Sequence, residues 1–178
     1  NSAEDVYSLS ELIVKVKEPQ PSEYKLLKKN QILFTFLHLA VEEALTKELL
    51  NKRITSIAYE TIENEEGELP LLIPMSEIAG KMSVQIAANL LENRNNGAGI
   101  LLGGIPGVPA GKVLIIGAGH VGINAAKIAV GMGANVSIAD IDTNALRRID
   151  NIFGSKVKTC FSHEETIKEI IKDADVVI

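Results

Sequence analysis

One cysteine, Cys160, stands in the whole chain of 178 residues. That excludes an internal disulfide and fits a reducing compartment. Cys160 falls in an expected strand, Lys156 to Phe161, where a buried, inert thiol is expected rather than a nucleophile. A basic run is missing as well: 18 Lys and Arg against 23 Asp and Glu give a net charge of −5. Nucleic acid and anionic membrane are therefore not expected as partners. No stretch reads as a membrane span, because the least charged segment, Asn95 to Gly111, is full of Gly and Pro. No leader pattern opens the chain, so a cytoplasmic protein is expected. No metal site is expected. Self-similarity at a period of about 20–50 residues is absent too.

What is present is ordinary for a globular chain. Hydrophobic residues make up 46% and charged residues 23%, with room for one large or two small domains. The chain begins without methionine and stops at Asp175-Val176-Val177-Ile178, which reads as a strand. Part of a longer protein is expected.

The most informative stretch is Lys112-Val113-Leu114-Ile115-Ile116-Gly117-Ala118-Gly119-His120-Val121-Gly122. A β-branched apolar run breaks into G-x-G-x-x-G, and Ile123 to Gly133 then reads as a helix. A second strand, Asn135 to Ala139, ends on Asp140, eighteen positions past the last glycine. Strand, glycine turn, helix, strand and acid in that order form a dinucleotide-binding fingerprint. Gly117 permits the tight turn, Gly119 lets the backbone approach a pyrophosphate, and Gly122 lets the helix pack on the strand. The helix N-terminus then faces the phosphates. Asp140 accepts hydrogen bonds from the ribose hydroxyls and repels a 2′-phosphate, so the expected cofactor is NAD rather than NADP. The competing reading of Asp140 is a helix cap, for which Asp142 is an alternative.

Upstream, Glu11 to Lys17 alternates as a strand that Glu18-Pro19 stops. Ser22 to Lys28 reads as a short helix with Ser22 as its cap. Gln31 to Leu37 reads as a strand buried on both faces, Glu42 to Lys52 as an amphipathic helix, and Ile54 to Tyr59 as a third strand. Alternation of this kind predicts a parallel sheet with ligands beyond the C-terminal strand ends. Lys17, His38 and Glu60 all fall at such ends. Met75 to Leu91 is the longest helix expected. Ile78, Met82, Ile86 and Leu90 mark its apolar stripe, and Met75 and Met82 are read as core. The Gly- and Pro-rich stretch from Asn93 to Gly111 reads as a loop that crosses between domains. A domain boundary is expected near residue 75. After the fingerprint, helix Asn144 to Phe153, strand Lys156 to Phe161, helix His163 to Lys172 and strand Asp175 to Ile178 continue the alternation. The expected fold is α/β, with two Rossmann-like parallel-sheet domains and a cleft between them, each incomplete in this chain.

Five segments carry a resemblance that covers essentially the whole chain: Lys15-Val16-Lys17-Glu18-Pro19; Leu33-Phe34-Thr35-Phe36-Leu37-His38-Leu39-Ala40; Ile57-Ala58-Tyr59-Glu60-Thr61; Leu69-Pro70-Leu71-Leu72-Ile73-Pro74-Met75-Ser76-Glu77; and Gly104-Ile105-Pro106-Gly107-Val108. Together they resemble the alanine dehydrogenases. The resemblance implies NAD-dependent oxidative deamination of L-alanine to pyruvate and ammonium, the reverse amination, and a homohexamer. It divides the chain into a substrate domain at 1–75, an interdomain helix at 76–93 and an NAD-binding domain at 94–178. It makes Lys17 the substrate lysine and His38 the catalytic histidine. Cofactor contacts fall at Ser76, Gly117, Ala118, Gly119, His120, Val121, Gly122, Asp140 and Ser162. The family's substrate arginine would lie upstream and a catalytic aspartate downstream. Lys15 ranks second to Lys17, and His163 is read as a surface residue at a helix start. The alternatives are the NAD-binding subunit of a proton-translocating transhydrogenase, a non-catalytic NAD-binding module, and a homologous domain within a larger lysine-degradation enzyme.

Overall fold

The computed structural model describes residues 2–178. The chain divides into two compact units, the first ending at Leu72 and the second running from Ile73 to Ile178.

The first unit opens with helix α1 (Ala3–Leu9), capped by the Ser2 hydroxyl and by Asp5 reaching back to the Ser2 N–H. Strands β1 (Leu12–Val14) and β2 (Ile32–Thr35) follow, then helix α2 (Glu43–Asn51) and strand β3 (Thr55–Ala58). The strands form one parallel sheet in the order β1-β2-β3. Alternation decides which side chains enter the core. Ile13 is buried between exposed Leu12 and Val14, and Leu33 and Thr35 are buried while Ile32 is exposed. The expectation that β2 is buried on both faces is thus corrected, because its second face stays partly open. Leu45 and Leu49 of α2, one turn apart, close over Ile13, Leu33 and Leu37. Each such leucine contributes roughly 1.5–3 kcal/mol of burial. Buried Gln31 ties α1 to the sheet, its amide donating to the Tyr7 and Ser10 carbonyls at 3.1 and 2.7 Å.

The helix expected over Ser22 to Lys28 is a 3-10 turn, Pro21–Leu26, and Ser22 does not cap it. Glu23 organises that turn. Its carboxylate accepts the Gln20 N–H at 2.7 Å and pairs with the Lys15 ammonium at 2.5 Å.

The second unit begins with helix α3 (Ile73–Leu90). Strand β4 (Lys112–Ile116), helix α4 (His120–Gly131), strand β5 (Asn135–Asp140), helix α5 (Thr143–Phe153), strand β6 (Val157–Phe161), helix α6 (Glu164–Ile170) and strand β7 (Val176–Val177) then alternate. All strand pairs are parallel, in the order β6-β5-β4-β7. The chain winds outward from β4 in one direction and then crosses back to the other side of it. That reversal beside β4 is the topological switch point of a Rossmann-like sheet. β4 is a central strand and is apolar on both faces, with Val113, Leu114 and Ile115 all buried.

The stripe expected to bury α3 does not. Ile78, Met82, Ile86 and Leu90 are exposed, as are Met75 and Met82, which had been expected in the core. Gly80 and Val84 are the buried positions, with Ala87 and Ala88 packed beside them. A Cβ on Gly80 would lie 2.2 Å from the carbonyl oxygen of Val121. Only glycine lets the backbones of α3 and α4 come this close.

Candidate functional site

In the first unit, Lys17, His38 and Glu60 all follow C-terminal strand ends, three residues after Val14, three after Thr35 and two after Ala58 respectively. Parallel strands put these ends on one rim. Lys17 is exposed, and its carbonyl accepts the Thr35 hydroxyl at 3.0 Å, which anchors the turn to β2. Lys15 instead pairs with Glu23.

His38 has a positive φ of 51°, in the left-handed region, which costs energy for a residue with a Cβ. Glu60 holds it there. Its Oε1 accepts the N–H of His38 at 2.7 Å and that of Leu37 at 3.0 Å. Partial burial pushes the Glu60 carboxyl up, but the N–H groups of His38, of Glu60 itself and of Leu37 outweigh it and leave it below the ordinary glutamate range. The ring of His38 is met by a residue that the sequence marked only as a strand stop: Glu18 Oε2 lies 3.1 Å from Nδ1. The available signal was its place in the turn after β1, beside β2, the strand whose following loop carries His38.

In the second unit, Gly117 leaves β4 with φ 107°, closed to other residues, and no atom lies within 4 Å of the Cβ it lacks. Gly119 likewise faces open space. Gly122 does the opposite: a Cβ there would lie 1.9 Å from the Gly117 carbonyl oxygen. α4 starts at His120 with no side-chain cap on its free N–H groups. Gly117, Gly119, His120, Val121 and Gly122 line a cavity of about 280 Å³ that Ser76, from the first turn of α3, also lines. Ala118 is buried beneath the turn.

Asp142 caps α5, accepting the Asn144 N–H at 2.8 Å. Asp140 is therefore not the cap. Its Oδ2 accepts the Ala118 N–H at 2.6 Å and its Oδ1 the Asp142 N–H at 2.7 Å. These two N–H groups hold its carboxyl below the usual aspartate range against partial burial, with help from the Ile141 N–H and the Arg148 charge. Ser162 follows the end of β6 and donates its backbone N–H to the Asp140 carbonyl at 3.0 Å. Ser162, Asp140 and the glycine turn thus share one rim. His120 is exposed at the first position of α4. His163 precedes α6 and packs its ring on Phe161, with centroids 4.6 Å apart.

Comparison with known proteins places this geometry. The profile described as Alanine dehydrogenase/PNT, N-terminal domain matches residues 1–79, and that described as Alanine dehydrogenase/PNT, C-terminal domain matches residues 83–178. The alanine dehydrogenase of Methanococcus maripaludis is 54% identical over 177 residues, 99% of this chain and 48% of that protein. That of Staphylococcus epidermidis is 52% identical over 168 residues, 94% of this chain and 45% of that protein. The chain spans about half the length of the curated relatives it matches. A solved L-alanine dehydrogenase superposes with a TM-score of 0.91 at 50% identity, covering 99% of this chain and 48% of the other. A transhydrogenase from Sinorhizobium meliloti shares the fold, with a TM-score of 0.81 at 22% identity over 99% of this chain and 51% of its own. Both halves match and the identities run across nearly the whole chain, so the chain belongs to the alanine dehydrogenase/PNT family.

Proposed function

We propose that the protein to which this chain belongs catalyses NAD-dependent oxidative deamination of L-alanine to pyruvate and ammonium, and the reverse amination. The observation that carries this reading is His38, an exposed imidazole held in a strained backbone conformation by Glu60, on the same rim as Lys17. Strain of this kind is retained where a side chain must be aimed.

Residues 1–75 then serve the substrate, 94–178 the cofactor, and 76–93 connect the two. The ammonium of Lys17 binds the substrate carboxylate and the developing carbonyl oxygen as a charged donor. His38 moves the proton at the hydroxyl oxygen that water adds to the imine carbon.

The residues of the glycine turn fit a dinucleotide. Open space stands where a Cβ of Gly117 or Gly119 would project, beside the uncapped N–H groups of α4. A pyrophosphate needs both. NAD supplies the hydride acceptor when bound. The Asp140 carboxylate accepts the ribose hydroxyls and disfavours a 2′-phosphate. Ser76, which lines the cavity, and Ser162, just past the end of β6, contribute hydroxyls. A homo-oligomer, a hexamer by resemblance, and a cytoplasmic location complete the reading.

Steady-state assay of the full-length protein tests it. NAD reduction with L-alanine, and NADH oxidation with pyruvate and ammonium, are expected. Turnover of lysine-derived substrates in place of alanine, or nucleotide binding without turnover, would overturn it.

A further inference from the structure

Neither motif nor resemblance gives Glu18 a role beyond ending a strand. The structure gives it a partner. Its side chain crosses from the turn after β1 to the loop after β2, where Oε2 meets His38 Nδ1 at 3.1 Å. The Glu18 side chain is 18% exposed and the ring 46%. Glu18 is itself held, since Gln20 Nε2 donates to its carbonyl at 3.2 Å and lies 3.4 Å from Oε1. The backbone at each end of the contact is also fixed. Pro19 is fully buried, and Glu60 takes the N–H groups of Leu37 and His38. Phe36 lies nearly parallel to the imidazole, 19° apart with centroids at 6.1 Å.

The protonation pattern follows from donor and acceptor arithmetic. The N–H of Glu18 itself leads in holding its carboxyl below the usual glutamate range; burial opposes this, and the His38 contact and the Lys17 charge add to it. An ionised carboxylate has acceptor sites only, so the contact requires a proton on Nδ1. In the neutral ring Nε2 is then bare. A free imidazole favours the opposite tautomer, with its proton on Nε2. A catalytic imidazole in the wrong tautomer is in place but useless, which is why an acid behind the ring matters in the serine hydrolases.

We propose that Glu18 is the positioning residue of His38, fixing the Nδ1–H tautomer so that Nε2 is the nitrogen that takes the substrate's proton. The substrate's identity rests on the alanine dehydrogenase reading above; the tautomer does not. Glu18 touches neither substrate nor cofactor in this scheme and acts only through the ring.

Two measurements test this. Long-range proton–nitrogen correlation NMR at alkaline pH reads the tautomer directly, and the chain has only three histidines to assign. The parent is expected to show a protonated Nδ1 and a bare Nε2 on His38. Glu18→Ala is expected to shift the ring towards Nε2–H, and Glu18→Gln, whose amide oxygen can still accept, to retain Nδ1–H in part. In the full-length protein, Glu18→Ala is then expected to lower kcat for alanine by about tenfold or more. The KM for NAD should stay unchanged, and Glu18→Gln should recover part of the loss. A parent ring with Nε2–H, or a Glu18→Ala ring that keeps the parental tautomer, overturns the proposal. So does a tautomer shift that leaves kcat untouched. A parent that shows the Nδ1–H signature but does not turn over alanine overturns the function reading instead and leaves the Glu18–His38 relationship standing.

Discussion

Glu60 holds His38 by the main chain and not by the ring. Its Oε1 accepts the His38 N–H at 2.7 Å where φ is 51°, and the Leu37 N–H at 3.0 Å. The contact fixes the direction in which Cβ leaves the backbone, and Glu18 then fixes the rotation of the ring.

Glu60→Gln removes the charge but keeps an acceptor of the same shape. The Glu60 carboxyl is lower in the folded chain than in the unfolded one. A depressed carboxyl stabilises the fold above its unfolded value of about 4.3, and that contribution is lost as the pH falls through the folded value. The melting temperature of Glu60→Gln should therefore lie below that of the parent at neutral pH, and the two should converge in acid. Parallel curves down to about pH 3 would show that the charge does nothing there.

Lys17→Ala and His38→Ala should each cost turnover while leaving NAD affinity unchanged, because neither belongs to the glycine turn. Loss of a general acid–base group typically costs ~100-fold or more. The measurement is alanine turnover by the full-length variants beside their NAD dissociation constants. Near-parental turnover would leave Lys17 a solvated lysine, or His38 a conformational oddity.

On the proposed function Asp140 sets nucleotide choice; its carboxylate also ties down the glycine turn by accepting the Ala118 N–H. NAD should bind much more tightly than NADP to the parent. Asp140→Ala should weaken NAD binding, by about tenfold or more, since a hydrogen bond to a charged group is worth ~1.5–3 kcal/mol. NADP should gain less than NAD loses, because Ala118 also loses its acceptor. Calorimetry that finds equal affinities in the parent would refute the ribose role.

The glycines of the turn should separate binding from folding. Gly119→Val places its side chain in open space and should abolish NAD binding with little change in melting temperature. Gly122→Ala sets a methyl 1.9 Å from the Gly117 carbonyl and should lower the melting temperature even without nucleotide. Unimpaired NAD binding by Gly119→Val would mean that the pyrophosphate lies elsewhere.

The sequence made the second unit easier to read than the first, for a physical reason. Gly117, Gly119, Gly122 and Asp140 meet constraints set within thirty residues of chain, so spacing alone exposes them. The α3 stripe misled because the rule rewards large apolar side chains at i and i+4. This helix packs instead through Gly80, Val84 and two alanines, where small size is what the contact requires. Glu18 was harder to read because its partner is twenty residues away and is reached only through strand pairing. Pro21–Leu26 is bonded three residues apart, Glu23 N–H to the Gln20 carbonyl at 2.8 Å and Leu27 N–H to the Tyr24 carbonyl at 3.2 Å, a distinction that side-chain pattern does not carry.

The approach of α3 to α4 at Gly80 has a mechanical consequence. Backbone meets backbone there, with no side chain between them to yield. Val121, whose carbonyl a Gly80 Cβ would strike, sits in the first turn of α4, and Ser76 stands one turn before Gly80 on α3. The spacing from the Ser76 hydroxyl to the glycine turn is thus gauged by two packed helices whose backbones meet at Gly80. A methyl added at Gly80 would act as a shim, pushing Ser76 outward and widening the cavity's mouth while every cavity-lining residue kept its identity.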